Sequence, residues 1–328
     1  MLEHIVILLV SFVVLVWSAD KFVLGASSLA RNLGVSPMII GLTIVAMGSS
    51  APEMMVAAAA SLQGNPDTAI GNAIGSNITN IALVLGFTVL FKPLMVSSST
   101  IKQELPLLLI LTLLTYWMIS DNFFSFSEGF ILMVGFFTFI SVLLIKAIKQ
   151  RNNNSLDDPM IIEAESELPE ATSTVKSIFW LIAGISLLVT SAHFLVDSAI
   201  FIAKAYGISD LVIGLTIIAI GTSLPELAAS IASMMKKEDD LAMGNIVGSN
   251  IFNILAVLPF AGLIAPGHIN PEASFRDAPV MLAITGLLFL LCFSRKSGYF
   301  RLTRAKGALL LVSFIAYQVL LFSQTTFS

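Results

Sequence analysis

Two stretches of this chain are written twice, and the duplication constrains its fold more than any other feature. Residues 41–53 read G-L-T-I-V-A-M-G-S-S-A-P-E and residues 214–226 read G-L-T-I-I-A-I-G-T-S-L-P-E. Residues 71–80, G-N-A-I-G-S-N-I-T-N, return as G-N-I-V-G-S-N-I-F-N at 244–253. Both pairs are separated by 173 positions (41 to 214, 71 to 244), with no gap between them. Each copy carries a glutamate, Glu53 or Glu226, inside an apolar segment. An ionisable side chain is costly there and marks function. A duplicated costly residue beside a helix-breaking proline predicts an ion site shared by two repeats.

Composition places the chain in a membrane. It is 56% hydrophobic and 12% charged, against about 25% charged residues in a soluble globular protein. A bilayer span needs about 20 apolar residues. The sequence predicts an all-α membrane protein of about ten transmembrane helices, over 4–30, 37–62, 68–91, 103–119, 127–147, 176–204, 209–235, 241–264, 277–293 and 305–323. The first stretch lacks a basic leader and a small-residue cleavage site, so it reads as a retained helix. The lone Cys292 allows no disulfide within the chain, and His4, His193 and His268 form no zinc-like cluster. No basic patch points to nucleic acid, and no obligatory protein partner is evident. H-E-x-x-H and G-x-S-x-G are both absent, which argues against an intramembrane hydrolase and against an enzyme.

Five helices per half is an odd number, so the halves enter the membrane from opposite sides. Two inverted five-helix repeats follow, at 1–147 and 176–328, joined by an acidic cytoplasmic linker at 148–175 that reads as a tether. With the N-terminus outside, fourteen Lys and Arg residues, among them Arg31, Lys92, Lys102 and Lys146, fall on the inner side, and only Lys204 and Arg276 fall outside. The positive-inside rule then puts both termini outside. Asp20, Lys21, His193 and Asp197, in the long first and sixth helices, read as structural pairs. Met54, Met55, Met234 and Met235 read as packing residues.

The chemistry lies in the repeats. Pro52 and Pro225 remove a helical donor, so each helix is expected to break there and free carbonyls near Ala46 and Ala219. Ser49, Ser50 and Glu53 in one copy, and Thr222, Ser223 and Glu226 in the other, add side-chain oxygens. Asn72, Ser76 and Asn80, spaced i, i+4, i+8, make a polar stripe on one helical face. Asn245, Ser249 and Asn253 repeat it. Gly71, Gly75, Gly244 and Gly248 are expected to let these helices pack closely. A set of oxygens suits a hard cation such as Ca²⁺, which takes about 6–8 of them, and the lack of sulfur and imidazole argues against zinc or copper. Two carboxylates neutralise one divalent or two monovalent ions, a simple basis for exchange. No cofactor is implied.

With their spacing, the two copies of G-[ST]-S-x-P-E, each followed by G-N-x-x-G-S-N-I-x-N, resemble the α-repeats of the Ca²⁺:cation antiporter superfamily, closest to the bacterial calcium/sodium antiporters. The resemblance covers essentially the whole chain. It implies a central site for Na⁺ and Ca²⁺ held by the side chains of Ser49, Ser50, Glu53, Ser76, Asn80, Thr222, Ser223, Glu226, Ser249 and Asn253 and the carbonyls of Ala46 and Ala219. It also implies a bacterial cytoplasmic (inner) membrane and first and sixth helices that slide to switch access. Asn253 stands where some members carry aspartate, which leaves H⁺ or K⁺ as alternative coupling ions. A Ca²⁺/H⁺ antiporter and a cation channel are the competing readings.

Overall fold

The computed structural model describes residues 1–98, 100–152, 172–206, 219–292 and 300–325. Its helices, in order, are α1 (Leu2–Leu33), α2 (Pro37–Ser49), α3 (Ala51–Leu62), α4 (Pro66–Phe91), α5 (Leu105–Ile119), α6 (Phe126–Asn152), α7 (Thr174–Ala205), α8 (Ala219–Thr222), α9 (Leu224–Met235), α10 (Asp239–Ile264), α11 (Ala273–Cys292) and α12 (Arg304–Thr325). Among the described residues, seven helices are long and apolar enough to cross a membrane, and the pair α2–α3, bent by 47°, makes an eighth. The fourth expected span is met by α5 and the π-helical turn Thr100–Glu104 before it. The seventh expected span is met in part by α8 and α9; its stretch 209–218 lies outside the described residues, as does 153–171 of the expected linker. Helix α6 runs on to Asn152, past the expected boundary at 147, because Lys149, Gln150 and Arg151 are good helix formers.

Small residues decide which helices meet. A β-carbon on Gly25 of α1 would lie 2.5 Å from the Leu181 amide nitrogen, and one on Gly184 of α7 would lie 2.7 Å from Phe22 Cα. The two 32-residue helices α1 and α7 therefore pack backbone to backbone and form a peripheral pair. Their most apolar windows are 22% and 28% buried, against 72% and 89% for α4 and α10. The helices that carry the asparagine stripes are thus the centre of the molecule, while α1 and α7 face lipid.

The intramembrane charges find partners. Asp20 pairs with Lys236 at 2.5 Å and with Lys21 at 3.4 Å, and His193 lies 3.2 Å from Asp197. Met234 is buried, whereas Met55 and Met235 point outward at 74% and 76% exposure, so they are not packing residues.

The inverted arrangement can be checked by which loops touch. A ten-span path sets residues 31, 94–96, 238–239 and 300–302 on one face and 67, 123–124 and 267–270 on the other. Strand β1 (Leu94–Val96) pairs antiparallel with β4 (Phe300–Leu302), Met95 opposite Arg301. Strand β2 (Phe123–Phe124) pairs with β3 (Gly267–His268). Arg31 Nη2 donates to Glu238 Oε1 at 2.8 Å, and the Asn270 amide donates to Asp67 Oδ1 at 2.7 Å. Each contact joins partners on one face.

Candidate cation site

The site starts from two matching backbone breaks. Ser50 (φ −86°, ψ 5°) separates α2 from α3, and Ser223 (φ −91°, ψ 5°) stands in the same place before α9. Proline lies in the first turn of each following helix, where its missing N–H costs nothing. Glu53 and Glu226 also sit in those first turns, where the helix dipole favours a negative charge. Both are 1% exposed, and the charge of one acts on the other.

The break does not free the Ala46 carbonyl as expected. It accepts the Ser50 amide at 2.9 Å and lies 3.3 Å from the Ser49 hydroxyl. A carbonyl has two lone pairs, and the bend at Ser50 keeps the i−4 donor in reach. In the second copy the Ser223 amide goes instead to the Ile220 carbonyl at 3.1 Å, one residue past Ala219.

Helices α4 and α10 supply the stripes. Asn72 Nδ2 donates to the Glu53 carbonyl at 3.2 Å, and Asn245 Nδ2 donates to the Glu226 carbonyl at 3.3 Å. The bond spans 19 residues in both copies, so the repeat is reproduced down to a single hydrogen bond. Asn245 also reaches Ser230 Oγ at 3.0 Å; the equivalent position of the first copy is Ala57. At the last stripe position both helices widen into π turns, Thr79–Leu85 around Asn80 and Asn253–Val257 starting at Asn253. Such turns re-aim side chains and collect at functional sites.

The two copies interlock. Ser49 Oγ lies 3.1 Å from Asn245 Oδ1 and 3.3 Å from Ser249 Oγ, and Ser50 Oγ lies 3.5 Å from Glu226 Oε1. Asn253 Nδ2 donates to Asn77 Oδ1 at 3.1 Å. Five buried side-chain oxygens of the expected set have no hydrogen-bond partner: Glu53 Oε2, Glu226 Oε2, Asn80 Oδ1, Asn253 Oδ1 and Ser223 Oγ. Buried oxygens without donors are costly, and a bare hard cation is a group that would satisfy them together. Among the described residues no cluster of three or more His, Cys, Asp or Glu could hold a metal, so the two glutamates carry the formal charge of the site.

Among the described residues, the site opens along one side of α4. Along α4, Gly71 is exposed, Asn72 and Gly75 are half-buried, and Ser76 is buried. Gly71, Asn72, Gly75, Ser76 and Thr222 line a cavity of about 240 Å³. Among the described residues Gly71 and Gly75 therefore border open space, with nothing within 4 Å of a β-carbon on either. Their counterparts in α10 serve close packing: a β-carbon on Gly244 would lie 2.9 Å from the Met38 carbonyl oxygen, and one on Gly248 would lie 2.7 Å from Ala46 Cβ. Helix α2 thus seals one face of the site while the other stays open.

Comparison with known proteins agrees with this geometry. The profile of the sodium/calcium exchanger protein family matches residues 3–145 and 176–323. The chain belongs to the sodium/calcium exchanger family. Family members similar to it include CaxA of Alkalimonas amylolytica, 54% identical over 98% of this chain and all of that protein. The inner membrane protein YrbG of Escherichia coli is 39% identical over 98% of each chain. A solved structure of the sodium-calcium exchanger NCX_Mj, soaked with Na⁺ and Ca²⁺, superposes with a TM-score of 0.78 at 32% identity, covering 96% of this chain and 97% of that one. This exchanger-family chain is therefore a multi-pass membrane cation antiporter and not an enzyme.

Sequence reasoning placed Asn72 and Asn245 on the stripes but missed that each holds the backbone of a glutamate, and it missed the role of Asn77. For the first two, the equal 19-residue spacing to each glutamate was the available signal. Asn77 gave none, because its partner Asn253 is far away in the chain.

Proposed function

We propose that the chain exchanges Ca²⁺ for Na⁺ by alternating access, with the cations held between the repeats. Their ligands are the side chains of Ser49, Ser50, Glu53, Ser76, Asn80, Thr222, Ser223, Glu226, Ser249 and Asn253, joined by the carbonyl of Ala219 and, once the Ser49 hydroxyl turns from it to the ion, by that of Ala46. The observation that carries this reading is the set of partnerless buried oxygens on both glutamates and both third-position asparagines. A divalent ion entering that set loses its water but keeps oxygen neighbours and meets two negative charges. Two sodium ions bring the same charge, so the two loads compete.

The sealed face at Gly244 and Gly248 and the open cavity at Gly71 and Gly75 suit one end-state of such a cycle. The charge count makes the cavity side the outer one, with both termini outside and 148–175 an inner tether between repeats 1–147 and 176–328. YrbG is named as an inner membrane protein, which supports a bacterial inner membrane here.

The test is calcium-45 accumulation in proteoliposomes under an imposed Na⁺, K⁺ or H⁺ gradient. The Na⁺ gradient alone is expected to drive accumulation. Uptake driven only by H⁺ would assign the same glutamates to proton exchange. Equilibration with the membrane potential, without coupling to any gradient, would mark a channel.

A further inference from the structure

The two repeats differ in charge at one pair of equivalent positions, of which the second-repeat member lines the open cavity. The 173-residue offset aligns Arg276-Asp277 with Gln103-Glu104. Both pairs end a π turn, Ala273–Asp277 before the rest of α11 and Thr100–Glu104 before α5. Arg276, Asp277 and Tyr317 line the open cavity together with Asn72, Ser76 and Thr222 of the site. The Asp277 carboxylate is already occupied there. Arg276 Nε donates to Oδ1 at 2.7 Å, Arg276 Nη2 to Oδ2 at 3.0 Å, and the Tyr317 hydroxyl to Oδ1 at 3.0 Å. Arg276 Nη1 also donates to Glu272 Oε2 at 2.7 Å.

The equivalent acid on the other face has no guanidinium. Glu104 is 7% exposed, and its Oε2 has no hydrogen-bond partner. Its chain neighbour is Gln103, whose side-chain oxygen accepts from Lys146 Nζ at 2.6 Å. Lys146 and Asp240 are the charges that act on Glu104.

A cation passing through the cavity moves beside Asp277. A bidentate guanidinium holds a carboxylate strongly and leaves it little to offer a second cation. We propose that Arg276 is a tethered competitor cation that keeps Ca²⁺ from lodging at Asp277 and so lowers calcium affinity on the cavity face, a bidentate competitor that the equivalent Glu104, acted on by Lys146 alone among cations, does not have. Arg276 is a specificity-determining residue in this account and touches no ion in the central site. The asymmetry suits export, in which calcium is gathered at low concentration and released at high. The inference rests on the exchange reading above.

The test is the half-saturating Ca²⁺ concentration of Na⁺-coupled exchange, measured on each face in oriented membrane vesicles. Arg276→Gln is expected to lower it about five-fold on the cavity face only, near the upper end of the effect of one solvent-screened charge pair, and less so in high salt. Arg276→Lys keeps the charge and is expected to stay within two-fold of wild type, at about that scale. Asp277→Asn leaves the arginine with Glu272 as its carboxylate partner, makes the cavity wall more positive by one charge and is expected to raise the value on the cavity face; the double variant Arg276→Gln/Asp277→Asn is expected to bring it back. Glu104→Gln, at a position that does not line this cavity, is expected to leave the cavity-face value unchanged. An Arg276→Gln shift that is absent, or equal on both faces, overturns the inference, as does an Arg276→Lys shift equal to that of Arg276→Gln. Wild-type protein without Na⁺-coupled calcium exchange would instead remove the reading on which the inference rests.

Discussion

Asn72 and Asn245 each hold the backbone of a glutamate, and the two bonds are not equal in weight. Asn245 is fully buried and makes three hydrogen bonds, donating to the Glu226 carbonyl and to Ser230 and accepting from Ser49, whereas Asn72 is half-buried and makes one. A buried polar group left without a partner costs about 1–3 kcal/mol. Asn245→Ala is therefore expected to lower the melting temperature more than Asn72→Ala, as read by thermal unfolding in detergent; the reverse order would deny the asymmetry. Asn253→Asp tests the charge of the site. It adds a third core carboxylate and removes the donor to Asn77 Oδ1, so the Na⁺ dependence of calcium exchange is expected to shift; unchanged dependence would put Asn253 outside the cation's field. The glutamates, serines and stripe asparagines were legible in the sequence because the repeat writes each of them twice. The Asn77–Asn253 bond was not, since it joins unlike positions of the two copies.

At the scale of elements, the break at Ser50 follows from Pro52, and its 47° bend was legible. The π turns were not, because they change hydrogen-bond register without a marker such as proline. The unequal roles of the glycines were hidden for a deeper reason. In an inverted repeat that alternates, each copy takes both conformations in turn, so one motif must serve the packed face and the open one. Gly75 meets nothing within 4 Å, while a β-carbon on Gly248 lies against Ala46 and Leu42. Gly248→Val is accordingly expected to unseat α2 and abolish coupled flux in protein that still reaches the membrane. Gly75→Ala is the milder change here and is expected to keep at least part of that flux. Normal exchange by Gly248→Val would show that the seal is not needed.

Across the whole molecule, the ten-span path was legible in hydrophobic run lengths and in the odd number of helices per repeat. The loop pairs that close each face were not, since strands as short as β1–β4 leave no periodic signal. Orientation is open to a direct check. In a Cys292→Ala background, a cysteine placed at Asn153 is expected to resist impermeant thiol reagents in intact cells, and one at Ser328 to react; the opposite pattern would invert the assignment of faces. The centre of the account is that the charge for the cargo comes from two glutamates, one in each repeat. Calcium-45 accumulation driven by a Na⁺ gradient, compared between wild type, Glu53→Gln and Glu226→Gln in proteoliposomes, tests it most directly. Each substitution keeps the shape and removes one of two negative charges, leaving a divalent ion half-compensated in a buried site. Both variants are expected to insert normally and to lose accumulation. Wild-type accumulation by either one would show that the cation is held elsewhere.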